Sequence, residues 1–246
     1  MILRTNEQLA GEIVRAIKGG DLDSLQGMLA AHPEISAARI GDDRGSKTLL
    51  HVVTDWPGFF PNGPAVVQRL IAAGSDPNAR TEGAKHEEGE TPLQYAASND
   101  DVEVAEALLL GGADLEARGG SIAGGTALEN AIGYGCWRVA RLLLNHGAKV
   151  ERLWQAAAVG MTASVEKFFA EGSAPSSEEV NHAFWQACRG GYRRTAEYLL
   201  ARGADLNWMP DYAKETALEV ASSGMDTGRE ALVNWLRTKS ATSAGE

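Results

Sequence analysis

The chain repeats itself. The run Leu70-Ile71-Ala72-Ala73-Gly74-Ser75-Asp76-Pro77-Asn78 returns as Leu108-Leu109-Leu110-Gly111-Gly112-Ala113-Asp114-Leu115, then as Leu142-Leu143-Leu144-Asn145-His146-Gly147-Ala148. It returns again as Tyr198-Leu199-Leu200-Ala201-Arg202-Gly203-Ala204-Asp205-Leu206-Asn207, with a fainter copy at Phe168-Phe169-Ala170-Glu171-Gly172-Ser173-Ala174. Upstream of these runs lie Thr91-Pro92-Leu93-Gln94-Tyr95-Ala96-Ala97, Thr126-Ala127-Leu128-Glu129-Asn130-Ala131 and Thr216-Ala217-Leu218-Glu219-Val220-Ala221. Such periodicity constrains the fold strongly. Each copy is one supersecondary unit that cannot bury its apolar face alone, so neighbours must stack.

Local chemistry says what the unit is. A Thr hydroxyl can cap a helix, and Pro92 suits a first helical position, where its missing N–H costs nothing. Gln94, Glu129 and Glu219 each follow a Thr by three residues and complete a capping box, which accounts for them without a catalytic role. Ala96-Ala97 permits close helix approach, and Ala105, Leu108 and Leu109 form the apolar stripe of a second helix. The Gly after each Leu run ends that helix in a left-handed turn. This pattern resembles the ankyrin repeat, a β-turn followed by two antiparallel helices, over about residues 10 to 237. The resemblance implies an all-α ankyrin repeat solenoid of about seven helix–turn–helix units, with irregular and partly deleted β-turn fingers. One domain is expected over 1–238, capped at about 5–40 and about 216–238, followed by a disordered tail at 239–246.

Composition narrows the function. With 44% hydrophobic residues the chain can build a sizeable core, and its net charge of −10 repels a phosphate backbone, so no nucleic acid is expected. Nothing reads as a leader or a membrane span, so the expectation is a cytoplasmic protein without a membrane partner. Cys136 and Cys188 lack partners for a disulfide framework or a metal and read as helix-packing thiols. His86-Glu87-Glu88-Gly89-Glu90 has metal-ligand residue types without regular spacing and reads as a solvated acidic turn. No phosphate loop, nucleophile elbow or zinc pattern is present, so no cofactor is expected. Likeness to single-domain bacterial ankyrin proteins implies a cytoplasmic bacterial origin, and a monomer is expected.

The irregularities locate candidate sites. The turn at 80–90 is long, that at 118–125 slightly long, and Lys149-Val150-Glu151-Arg152 runs straight into Leu153-Trp154 with its turn deleted. Ser176 and Glu179 start the next helix in place of a turn. In His51-Val52-Val53-Thr54-Asp55-Trp56-Pro57, a first helix is stopped by Pro57, and Gly58-Phe59-Phe60-Pro61 is an inserted flap. The resemblance implies a concave groove lined by the turns and the two residues after each Ala-Ala step. Those slots hold Asp55-Trp56, Ser98-Asn99, Gly133-Tyr134, Ala158-Val159 and Arg189-Gly190.

Trp154 and Trp185 fall where the signature His of the repeat belongs, beside shortened or missing turns. They read either as core or, with Trp56, as walls of an aromatic hollow. Trp208-Met209-Pro210-Asp211-Tyr212 can add a lip. His51 is either a structural tie or, with Asp55 one helical turn on, half of a general-base pair. The expected binding residues are Asp55, Trp56, Phe59, Phe60, Asn99, Tyr134, Trp154, Trp185, Arg189 and Trp208. The functional expectation is a non-catalytic scaffold recognising a protein segment, neutral or basic given the charge of the chain. The alternative is a binder of a small organic molecule, or an enzyme using His51 with Asp55.

Overall fold

The computed structural model describes residues 1–83, 89–170, 174–224 and 229–243. The acidic stretch His86–Glu88, the turn at Gly172-Ser173 and the last three residues, all of which figured in the sequence reading, lie outside these. Fourteen α-helices, paired in chain order, make seven helical hairpins among the described residues. They divide into two compact units, Met1–Lys149 and Val150–Glu246, where the sequence suggests one stack. The division falls at the deleted turn.

Met1–Lys149 contains α1 (Gln8–Gly19), α2 (Leu22–Ala31), α3 (Leu49–Val53), α4 (Gly63–Ala72), α5 (Pro92–Ser98), α6 (Val102–Leu110), α7 (Ala127–Tyr134) and α8 (Trp137–Asn145). Val150–Glu246 contains α9 (Leu153–Ala158), α10 (Thr162–Ala170), α11 (Ser177–Gly190), α12 (Arg193–Leu200), α13 (Ala217–Ser223) and α14 (Glu230–Ser243). The last helix continues past Thr238, where sequence suggests a tail. No helix among the described residues is long and apolar enough to cross a membrane.

The capping chemistry forms as read. Thr91–Gln94, Thr126–Glu129, Ser176–Glu179 and Thr216–Glu219 are reciprocal boxes. Second helices end alike: Gly74, Gly112, Gly147 and Gly203 have φ between 91° and 104°. The next N–H in each case reaches back to Leu70, Leu108, Leu143 or Leu199 at 2.9–3.2 Å, which satisfies a helix-end carbonyl. The fully buried Leu50, Leu93, Leu108, Leu128 and Leu143 are core in the first unit, and Phe184, Leu199 and Leu232 in the second.

One feature lay outside the sequence reading. β1 (Ile2–Arg4) pairs in parallel with β2 (Arg39–Asp42), which pairs antiparallel with β3 (Gly45–Thr48). The last two strands are a projecting finger, and Ser46 bridges to Glu82 of the next one. Strands of three and four residues leave too little alternation to read.

Candidate functional site

The slot three residues after the capping Thr position sets the local framework. His51 is fully buried in α3. Its Nδ1 accepts from the Thr48 N–H at 3.2 Å, and its Nε2–H donates to the Glu90 carbonyl at 2.9 Å, just before the capping Thr91. Gln94 does the same job with its amide, donating to the Gly125 carbonyl at 3.0 Å, just before Thr126. Trp185, in the equivalent slot of α11, donates its indole N–H to the Glu215 carbonyl at 2.9 Å, just before Thr216. Three different side chains thus tie a helix to the loop that starts the following one.

This corrects two expectations. Trp185 is 3% exposed and belongs to the core of its unit, so it is not the wall of an open hollow. His51 does not pair with Asp55, because both ring nitrogens are engaged elsewhere. Burial lowers its pKa to about 4, with nearby Arg39 and Lys47 acting in the same direction, so at neutral pH the ring is uncharged. Asp55 instead receives Lys18 of α1 at 3.1 Å and Lys47 of β3 at 2.8 Å. Burial would raise its carboxyl, but these two ammonium groups more than offset that and hold it below the usual carboxylate range. Its end of the inferred groove is therefore not an uncompensated acid.

The flap is folded onto its own unit. The Trp56–Pro57 peptide is cis, and Trp56 stands 79% exposed. Phe59 donates its N–H to the Asp101 carboxylate at 2.7 Å, and the same carboxylate caps α6 through the Val104 N–H at 3.3 Å. The Phe59 ring faces the Arg138 guanidinium at 5.8 Å, and Phe60 faces the Lys18 ammonium at 5.2 Å. On the far side, a Cβ added to Gly20 would lie 2.1 Å from the Pro61 oxygen, so close approach requires glycine there. The Asn99 amide is engaged with the Thr54 carbonyl at 2.8 Å. Tyr134, 52% exposed, has its hydroxyl 3.2 Å from that of Ser121.

In Val150–Glu246 the aromatic side chains gather around His182. Trp154 stacks on His182 with ring centroids 5.7 Å apart at 26°, so its partner is that imidazole and not Trp185. Trp208 and Tyr212 flank the same imidazole, each at 5.9 Å. Trp185 meets Tyr212 edge-on at 6.0 Å, and half-buried Arg189 lies over Trp185 at 5.8 Å. The Tyr212 hydroxyl is 2.7 Å from His182 Nε2 and accepts from the Gln186 amide at 3.1 Å. Burial lowers the His182 pKa, with Asp211 opposing.

A legible cause exists. His182 occupies the place of the capping Thr of other repeats, but Ser176 starts α11 about one and a half turns earlier. The histidine is therefore on a helix face instead of in a turn. Both cysteines are buried, and burial pushes the Cys188 thiol up. Among the described residues no group of three or more His, Cys, Asp or Glu could hold a metal ion.

Helical pairs introduced by capped turns, four of them closed by a left-handed glycine, define a repeat protein of the helix–turn–helix kind. A family model for ankyrin repeats matches residues 59–152 in three copies. The crystal structure of the human ASB11 ankyrin repeat domain is similar at 19% sequence identity, with a TM-score of 0.51, covering 90% of this chain and 96% of that one. Comparison with curated proteins found no match in sequence. Residues 59–152 are ankyrin repeats, and the ankyrin repeat fold extends beyond them to both sides. Ankyrin repeats as a class mediate protein–protein interaction.

Proposed function

We propose that the chain is a non-catalytic recognition scaffold that binds a protein segment through the helix-end slots of Met1–Lys149. The observation that supports this most is Trp56. It follows a stretch buried from Leu49 to Thr54, yet is itself 79% exposed. An indole held in water at the end of a packed helix is hot-spot chemistry: large, rigid and able to bury much area at little entropic cost. Tyr134 occupies the corresponding slot two repeats on, and Phe59, 58% exposed, adds apolar surface in the flap. Acid–base catalysis at His51 has no comparable support, since a buried imidazole with both nitrogens engaged cannot reach a substrate.

The test is co-purification from a lysate with the wild type and with Trp56→Ala/Tyr134→Ala. The variant is expected to lose specific partners while keeping its helical circular dichroism and a Tm within about 3 °C, because neither side chain is core. Recovery of the same partners by both proteins would sink this reading.

A further inference from the structure

The imidazole of His182 is surrounded by three aromatic rings, from Trp154, Trp208 and Tyr212, and a cleft opens beside it. The cleft holds about 460 Å³ and runs from the start of α11 to the loop before α13. Trp208, Met209 and Tyr212 supply its apolar wall, and Glu178, Glu179 and Asp211 supply charge. Among the described residues that line it, none is Lys or Arg. Glu179 is engaged in the helix cap, accepting from the Ser176 N–H at 2.9 Å and hydroxyl at 2.8 Å. Glu178 and Asp211 remain at the rim.

Burial holds the ring at the back below the usual imidazole pKa and so favours its neutral form. Two groups able to donate face Nε2 of the neutral ring: the Tyr212 hydroxyl at 2.7 Å and the Gln186 amide at 3.3 Å, the amide also donating to the Tyr212 oxygen at 3.1 Å. Nε2 then accepts, and the ring proton sits on Nδ1. The imidazole is neutral and does not repel a positive ligand. An anion in this cleft would face carboxylates, and a neutral apolar ligand would strip water from them without compensation. A cation with an apolar shell satisfies both walls: aromatic faces attract it through their quadrupoles, and the carboxylates supply net charge.

We propose that this cleft binds a compact organic cation, an alkylated ammonium group, against Trp208 and Tyr212 with Glu178 and Asp211 as its counter-charges. The site shares no residue with the partner surface proposed above, so either reading can fail alone. Two sources carry this group: a free quaternary amine and a methylated lysine side chain.

The experiment titrates the full chain with choline, with the amide of N-acetyl-trimethyllysine, and with 3,3-dimethylbutanol, the uncharged isostere of choline. Heat and tryptophan fluorescence are the readouts. Saturable binding of at least one cation is expected, with the isostere about tenfold or more weaker. Which cation binds tighter assigns the source. Glu178→Gln/Asp211→Asn, both on exposed residues, should weaken the cation about tenfold and leave the fold intact. Trp208→Ala should abolish binding, and the charge variant decides the matter if that protein fails to fold. Equal affinity for choline and its isostere, unchanged affinity in the charge variant, or no saturation by either cation up to about 100 mM would overturn the proposal.

Discussion

The repeat slot three residues after the capping Thr position shows how one physical requirement admits several residues. His51, Gln94 and Trp185 each place an N–H on the carbonyl before the next capping Thr. Removing such a donor leaves a part-buried carbonyl without its indole partner, so Trp185→Phe should cost about 1 kcal/mol and Trp185→Ala, which also empties core volume, about 3–5 kcal/mol in urea unfolding. Trp56→Ala should change stability by less than about 0.5 kcal/mol, since its ring is in water. His51 adds a pH signature. Its folded pKa, about 4, lies below the 6.5 of an unfolded histidine, so its stabilisation is complete above pH 6.5 and lost as pH falls towards 4. Across that window the unfolded chain binds the proton and the native one does not. Wild-type stability should therefore drop by up to about 3 kcal/mol, and His51→Gln should be less stable at pH 7 with a flatter profile. A profile unchanged by the substitution would show that His51 titrates normally.

Elements owe their boundaries to different ranges of interaction. The helices were legible because a cap, an apolar stripe and a terminal glycine all act within a few residues of one another. The sheet was not, because β1 gains its partner β2 from residues more than thirty positions away. The flap was legible as an interruption but not in its anchoring, which rests on Asp101. Asp101→Ala removes both the α6 cap and the acceptor for Phe59, and should cost about 1–2 kcal/mol. Amide exchange should localise the loss, with Phe59 and Val104 deprotected together. Asp101→Asn, which keeps an acceptor oxygen, should retain most of the stability. Loss of Val104 protection alone would show that the flap is held by other contacts.

At the scale of the molecule, stability in a repeat protein is close to a sum of local and nearest-neighbour terms, so damage stays local. Leu199 is fully buried in α12, and Leu199→Ala should cost about 2–5 kcal/mol. Hydrogen exchange should then accelerate through 150–246 well before 1–149, matching the two compact units. Equal acceleration in both would mean that they open together. By itself the sequence determined the repeat, its caps, its helix ends and its aliphatic core, because each is encoded by residues within about a turn or by their recurrence. Only the tertiary structure decided which slot residues face water and which charges are compensated. Trp56 and Trp185 read alike in sequence, yet one is in solvent and the other in the core. Asp55 reads as an acid until Lys18, 37 positions away, is placed beside it. His182 became a centre only when rings from positions 154, 208 and 212 converged on it. Burial and charge compensation are set by neighbours far apart in the chain, and spacing along the chain does not record them.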